Sequence, residues 1–466
     1  MNLNESLFKT YDIRGSTLEG LSAELARGIG RAFGSMAWTR GERVIAVGRD
    51  GRLSSPELAQ ALRAGLGEAG MEVIDLGMVT TPMLYFATHT ICRSGIEVTG
   101  SHNPGQDNGF KMVLAEAPFF GDDVQTLKRI IQSEAWVLRS HRSSRRVDIL
   151  PAYRQRIICD ICLARPLRVV VDAGNGIAGA STPSILRAIG CEVEELHTEV
   201  DGRFPNHHPD PSRPENLRDL IAAVQSGEAD LGLAFDGDGD RLGVVTRSGA
   251  NIVPDRQIML FARDVLARHG GATIVFDVKC SQQLAPWIHR FGGRADMYKS
   301  GHSLVRSRMM ELGALLGGEM SGHIFFKERW FGFDDGTYTA CRLLEIVSAY
   351  ANAGAVLETL PDALSTPEIH VPCTPVEATD IMHRLVQGSD CYAPAVVTNI
   401  DGLRIDWSDG FGLVRPSNTN PVLVLRFEGV TQSALERIAS TLWQQVKAIK
   451  PNAKPSGWPS NLPLVD

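Results

Sequence analysis

One pattern occurs three times in the chain and restricts the fold more than any other feature. An apolar run suited to a buried strand ends in a polar loop, a helical segment follows, glycine stops it, and a second strand begins. The first copy starts at Arg43-Val44-Ile45-Ala46-Val47-Gly48-Arg49-Asp50, passes Ser54 and Ser55, and predicts a helix over 56–69 with Leu58, Leu62 and Leu66 at helical spacing. Gly70 ends it, and Met71-Glu72-Val73-Ile74 follows. The second copy is Leu167-Arg168-Val169-Val170-Val171-Asp172, then Gly174-Asn175-Gly176, a helix to Ile189 and a stop at Gly190. The third is Thr273-Ile274-Val275-Phe276-Asp277, then Lys279-Cys280-Ser281, a helix to Phe291 and a stop at Gly292-Gly293. Strands alternating with helices across short loops argue parallel pairing, and three such units argue three related α/β domains.

Each unit continues to another apolar strand that ends in a polar, glycine-bearing loop. The loops are Gly100-Ser101-His102-Asn103-Pro104, Asp236-Gly237-Asp238-Gly239-Asp240-Arg241, and Gly317-Gly318-Glu319-Met320-Ser321-Gly322-His323. Loops at the carboxyl ends of parallel strands are where such sheets bind ligands, so three equivalent loops can face one shared cleft. After Pro367 the pattern changes. Strands are expected at 368–371, 395–398, 402–406, 412–416 and 422–427, with helices at 375–386 and 432–450, which makes a smaller α+β domain.

The loop from Asp236 to Arg241 carries the clearest chemistry. Glycines alternate with three aspartates, so the backbone can fold sharply and the carboxylates can converge. Converging anions are costly unless a cation sits among them. Oxygen ligands with no His or Cys in the run favour Mg²⁺ over zinc or copper. The twelfth position from Asp236 is Arg247, not the Glu that closes an EF-hand loop. A solvated Asp-Gly turn is the plainer alternative. Arg241 suits a phosphate that shares the cation. Ser101 has no G-x-S-x-G surroundings and no evident Asp–His pairing, so phosphoryl transfer fits it better than acyl transfer. Taken alone, it reads as a turn serine.

Other motifs compete. Gly174-Asn175-Gly176-Ile177-Ala178-Gly179 matches the dinucleotide fingerprint, with Glu192 or Glu194 near the ribose-binding position. It supports a nicotinamide- or flavin-dependent oxidoreductase, against a tight strand-to-helix turn. Arg415-Pro416-Ser417-Asn418-Thr419-Asn420-Pro421 offers a phosphate cradle or a plain turn. His207 and His208 are adjacent, and adjacent histidines rarely face one metal, so an ordered loop is expected. Cys159 and Cys162 have CxxC spacing within a helix expected over 153–163, with no second pair to complete a zinc site.

The net charge of -7 points to no nucleic acid and no anionic membrane. No basic, apolar leader and no membrane-spanning run is evident, and eight scattered cysteines suit reduced thiols, so a cytoplasmic protein is expected.

Together the loops resemble those of the α-D-phosphohexomutases, within them the bacterial phosphomannomutase/phosphoglucomutase group. The resemblance runs through Tyr11-Asp12-Ile13-Arg14-Gly15, Gly48-Arg49-Asp50-Gly51-Arg52, Thr99 to Pro104, Asn108-Gly109-Phe110-Lys111, the acidic loop, Lys299-Ser300-Gly301-His302, Gly318 to His323, and Arg415 to Thr419. It implies three related mixed-sheet α/β domains plus a smaller C-terminal α+β domain around one central cleft. Their expected limits are 1–147, 148–250, 251–363 and 364–466. It implies a phosphoserine at Ser101 and Mg²⁺ held by that group with Asp236, Asp238 and Asp240. It implies reversible conversion of hexose 1-phosphate to hexose 6-phosphate, for glucose and mannose, through glucose 1,6-bisphosphate or its mannose counterpart. In it the fingerprint at Gly174 is structural. Glu319 and Ser321 match residues that grip sugar hydroxyls, and Arg415, Ser417, Asn418 and Thr419 match residues that hold the distal phosphate. Tyr11, Arg14, Lys111, Arg241, Lys279, His302 and His323 match positions that bind substrate or assist proton transfer. The partners implied are small sugar phosphates, with a monomer expected. A phosphoglucosamine mutase is the nearest alternative, and a sugar-phosphate binder without turnover a further one.

Overall fold

A computed structural model of the chain describes residues 3–140, 143–417, 420–460 and 462. The three sequence units become three sheets with the same strand plan. In the first, Glu72–Met78, Val44–Arg49, Gly95–Val98 and Asp107–Leu114 lie side by side. In the second the order is Glu192–Leu196, Arg168–Asp172, Leu231–Phe235 and Leu242–Thr246. In the third it is Arg294–Tyr298, Thr273–Asp277, Leu316–Gly318 and Ile324–Phe326. The first three strands of each set are parallel and the fourth is antiparallel. The sheets are therefore mixed, where the sequence pattern alone argued parallel pairing. The reason is loop length. A parallel return needs a crossover of a dozen or more residues, and a short polar loop can only fold back antiparallel. The serine, acidic and glutamate loops are these fold-back connections, one per sheet.

Helices pack on the faces. Ala23–Thr39 and Ser55–Glu68 lie together on one face of the first sheet, with Gly30 and Gly65 allowing close contact: a Cβ on Gly30 would come within 2.3 Å of the Leu62 carbonyl. Thr81–Thr90 opens with its N-cap Thr80 bonded to the Met83 amide and Pro82 in the first turn, a favourable start. The segment after Gly176 is not one helix to Ile189. A 3₁₀ turn, Ile177–Ala180, precedes a short helix, Thr182–Ala188. The helix expected over 153–163 spans Leu150–Ile158 and stops short of both cysteines. Asp160 is drawn out of it, accepting from Tyr338 at 2.7 Å and Arg329 at 3.3 Å. The cysteines are free thiols.

One apolar core runs continuously from Ala46 and Leu84 through Val169 and Leu233 to Ile274 and Leu344, so the first three units share it. The fourth sheet, antiparallel throughout, has its own core between Ile369 and Leu462, under the helices Pro375–Gln387 and Gln432–Ile449. Among the described residues no helix is long and apolar enough to cross a membrane.

Candidate active site

The serine loop is built around one buried guanidinium. Arg52 donates to the carbonyls of Ser101 at 2.7 Å, Asn103 at 2.6 Å, Pro104 at 2.5 Å and Asp107 at 2.8 Å. Asp50 neutralises it at 3.1 Å and accepts from Thr99 Oγ1 at 2.8 Å. Ser101 is held at a φ of 49°, a left-handed backbone unusual for a non-glycine residue. Its amide donates to Thr99 Oγ1 at 2.8 Å. The side chain is thereby turned across the domain boundary. Ser101 Oγ donates to Asp236 Oδ2 at 3.0 Å and lies 3.1 Å from His102 Nδ1.

The acidic loop meets the serine loop backbone to backbone. A Cβ on Gly237 would fall 2.2 Å from the Ser101 carbonyl oxygen, and one on Gly176 would fall 3.0 Å from the Gly237 Cα. Ile177 donates its amide to the Gly237 carbonyl at 3.2 Å. The dinucleotide-like glycines are therefore a packing device pressed against the acidic loop, and the helix start behind them is covered by protein. His207 and His208 diverge, as the sequence led us to expect. His207 Nε2 lies 2.9 Å from Asp172 Oδ2, and His208 reaches the His102 carbonyl.

Asp236, Asp238 and Asp240 are buried, each with a carboxylate oxygen within 4.8 Å of the others. Lys111 lies between them, 2.7 Å from Asp238 Oδ2 and also bonded to Asp240. Thr81 Oγ1 donates to Asp238 Oδ2 at 2.7 Å, and Arg241 donates to Asp236 Oδ2 at 3.0 Å and Asp210 Oδ1 at 3.3 Å. Burial, with Asp240 and Asp238 beside it, raises the Asp236 carboxyl above its ordinary range. Burial pushes Asp238 the same way, but Lys111 and Thr81 override it and hold that carboxyl low. Asp238 Oδ1, Asp240 Oδ1 and Arg241 Nη2 are buried with no hydrogen-bond partner among the described residues. Unsatisfied hard oxygens in a convergent anionic set fit a divalent cation of the Mg²⁺ type, and the spare guanidinium nitrogen fits an anion beside it.

The glutamate loop closes on the same point. Arg241 and His323 form an isolated antiparallel bridge, and Arg241 Nη1 reaches the Ser321 carbonyl at 3.4 Å. His323 Nδ1 is 2.8 Å from Asp334 Oδ2 and 3.6 Å from Asp240 Oδ1. Burial disfavours its charge, yet Asp240 and Asp334 raise its pKa overall. The ring of His302 lies 5.4 Å from that of His323, and burial lowers its pKa to about 3, so it is a neutral imidazole. Glu319 accepts from the Gly301 amide at 2.6 Å, while its Oε2 is buried without a partner among the described residues. Tyr11 donates to the Ser300 carbonyl at 2.9 Å and meets His302 edge-on. Arg14 pairs with Asp12 at 2.5 Å and reaches Asn103 at 3.2 Å, beside the serine.

The outer residues are tied in less directly. Lys279 turns to Glu368 of the fourth domain at 3.0 Å. Arg415 is held at 3.0 Å by Asp401, whose Oδ2 also accepts the Ser300 amide at 3.0 Å, linking the fourth domain to the 299–302 turn of the third. Ser417 begins the tip of the 415–421 loop, and its hydroxyl accepts the Asn420 amide at 3.2 Å. Asn418 and Thr419 lie outside the described residues. Sequence reasoning assigned no role to Thr81, Asp210, Asp334 or Asp401, and it quoted Arg52 only as part of a motif. Asp334 alone carried a signal, an acidic pair flanked by glycines in Gly332-Phe333-Asp334-Asp335-Gly336.

Residues 5–137, 155–249 and 253–364 match phosphoglucomutase/phosphomannomutase alpha/beta/alpha domains I, II and III, and residues 369–444 match the C-terminal domain. The chain is 51% identical over 449 residues to a phosphomannomutase/phosphoglucomutase of Pseudomonas aeruginosa, covering 96% of each chain. It is 50% identical to a phosphoglucomutase of Neisseria gonorrhoeae, covering 94% of this chain and 96% of that one. A crystal structure of a phosphoglucomutase/phosphomannomutase family protein from Burkholderia thailandensis superimposes with a TM-score of 0.93 at 49% identity, over 97% of this chain and 99% of the other. Three equivalent loops meeting at one buried acidic point, and four domain matches in order, place this chain in the phosphoglucomutase/phosphomannomutase family.

Proposed function

We propose that the chain reversibly interconverts hexose 1-phosphates and hexose 6-phosphates, of glucose and mannose, with Ser101 as phosphoryl carrier. The observation that carries this reading is the buried Ser101 hydroxyl, 3.0 Å from an aspartate whose neighbours present unpartnered carboxylate oxygens. The limits 1–147, 148–250, 251–363 and 364–466 divide the molecule by loop: serine, acidic, sugar and phosphate. Four separate sheets support that division, except that Asn251–Ile252 pairs in the second sheet and sets the second limit a few residues later.

Asp236, Asp238 and Asp240 would hold Mg²⁺, which would supply positive charge to offset that of a transferring phosphoryl group. Arg52 holds the Ser101 carbonyl and so aims Oγ into the cleft. Arg241, with a spare nitrogen beside Asp236, binds the transferring phosphate. Lys111, on the strand following the serine loop, faces the same group and takes or returns the proton of the sugar hydroxyl, with Arg14, His302 and His323 around it. Glu319 and Ser321 grip sugar hydroxyls; Tyr11, Lys279, Arg415, Ser417, Asn418 and Thr419 hold the sugar phosphate at its far end. The intermediate is a hexose 1,6-bisphosphate that turns over inside the cleft. Glucose and mannose differ only at the 2-hydroxyl, so a grip on the 3- and 4-hydroxyls separates them by about 1–3 kcal/mol at most. The protein acts as a cytoplasmic monomer.

The test is twofold. After incubation with glucose 1,6-bisphosphate, peptide mass analysis finds phosphate on Ser101; undiminished turnover in Ser101→Ala refutes the carrier role. Ratios of kcat/KM for the 1-phosphates of glucose, mannose and glucosamine fix the substrate. A preference for glucosamine 1-phosphate would reassign the chain to phosphoglucosamine chemistry.

A further inference from the structure

Glu97 sits within the strand Gly95–Val98 and is fully buried. Neither of its carboxylate oxygens has a hydrogen-bond partner among the described residues. The carboxyl occupies space left by Gly48 on the neighbouring strand, where a Cβ would come within 2.1 Å of Glu97 Oε2. On the other neighbour, the register sets Glu97 directly against Lys111. Opposed residues of an antiparallel pair share a face with Cβ atoms about 4.5–5.5 Å apart, within reach for a lysine and a glutamate. Yet the Lys111 ammonium turns away, to Asp238 and Asp240. Burial raises the Glu97 carboxyl well above the ordinary range, with Asp50 and Asp238 adding to it, so it keeps its proton in this arrangement.

A buried carboxyl with both oxygens unused is costly. It has a use if the lysine has two positions. We propose that Glu97 is the second seat of Lys111: when a divalent cation takes Asp238 and Asp240, the ammonium moves to the Glu97 carboxylate. This rests on the reading of the three aspartates as a cation site. Without the cation, the ammonium neutralises the aspartates and Glu97 is a neutral acid. With it, the aspartates are neutralised by the metal, the ammonium is repelled, and Glu97 releases its proton to solvent and pairs with Lys111. Neither state leaves a charge buried alone. Glu97 touches no substrate; it is a positioning residue that acts through Lys111 and keeps the ammonium beneath the serine loop.

Glu97→Gln keeps the shape and removes the charge. Calorimetric titration with Mg²⁺ compares the parent, Glu97→Gln, Lys111→Met and the double variant. Glu97→Gln is expected to weaken Mg²⁺ binding about 10-fold or more, because an ammonium without a second seat keeps competing for the aspartates. In the Lys111→Met background the same substitution leaves affinity unchanged. Equal affinity in parent and Glu97→Gln, or an equal loss in both backgrounds, overturns the inference. A merely structural carboxyl would move the melting temperature and leave the Mg²⁺ affinity alone. If Glu97→Gln does not fold, Glu97→Met is titrated in its place with the same expectation. A parent protein that binds no Mg²⁺ overturns the cation reading itself, and this inference with it.

Discussion

The joint between the first two domains and the joint between the last two are made of different materials. At the first, a serine hydroxyl, a lysine and a threonine enter buried carboxylates, backbones touch at Gly237, and one apolar core runs beneath. At the second, the fourth domain keeps its own core and reaches across mainly with polar groups. Arg404 donates to the carbonyls of Val278 at 2.6 Å and Cys280 at 2.7 Å, Arg426 to that of Lys279, and Ser281 to Glu428 at 2.9 Å. A small apolar contact, Val278 with Phe411 and Leu413, accompanies them. Opening the first joint would expose core and strand charges. Opening the second exchanges charge-assisted hydrogen bonds for water, at about 1.5–3 kcal/mol each, and exposes little apolar core. On the proposed reading, phosphoryl chemistry falls at the first joint, which we call rigid, and the grip on the distal phosphate at the second, yielding one.

The largest effect tests the rigid joint at its charge. Asp238→Asn removes one anionic ligand and the acceptor of both Lys111 and Thr81, and kcat should fall by about 10²–10³-fold with KM little changed. Steady-state kinetics with saturating Mg²⁺ measures this, and chelation of the parent should silence it. Next is the spacing. Gly237→Ala drives a methyl into the Ser101 carbonyl, so the loops must part. We expect overpacking of about 1–3 kcal/mol in thermal unfolding, with slowed phosphorylation of Ser101 followed by mass spectrometry. Normal stability and normal phosphorylation would show that the two loops are not in register-critical contact.

The yielding joint should answer differently. Arg404→Met leaves the serine and acidic loops untouched while removing two interdomain hydrogen bonds. KM should rise by about 10-fold with kcat nearly unchanged, and hydrogen exchange should increase along 403–416. A loss confined to kcat would erase the contrast between the joints. The smallest effect concerns the support behind the rigid joint. Burial lowers the His207 pKa, but the bond and charge of Asp172 more than offset this and raise it. A histidine raised on folding contributes stability that is complete below its unfolded pKa of about 6.5 and lost as pH rises through its folded value. The melting temperature should therefore decline by a few degrees above neutral pH in the parent, and His207→Gln should flatten that decline.

The three-unit plan was legible because each copy couples an apolar run, a polar loop and a glycine stop, signals that depend on neighbours in sequence. The acidic loop was legible for the same reason. What lay beyond were pairings between distant segments. Nothing local marks Arg52 as the organiser of a loop some fifty residues on, or Asp401 as the link from Arg415 to Ser300. Thr81, the first residue of its helix, carries no local mark until Asp238 is seen beside it. Nothing in the sequence singles out Glu97, because its partner strand and the space over Gly48 come only with the register. The mixed sheets were expected from the family resemblance and not from the strand–helix pattern, which shows that strands alternate with helices and not which way a short return must run.

The glycine layering at the serine has a consequence for how the enzyme can vary. Ser101, Gly237 and Gly176 are stacked main chain on main chain, with no side chain between them. The distance from the Ser101 loop to the acidic loop is thus gauged by the thickness of the polypeptide itself, which no rotamer can change. On the proposed reading of Ser101 as carrier, substitutions elsewhere reshape the grip on other sugars while this shim holds the two loops at constant separation, so substrate range and phosphoryl chemistry drift independently.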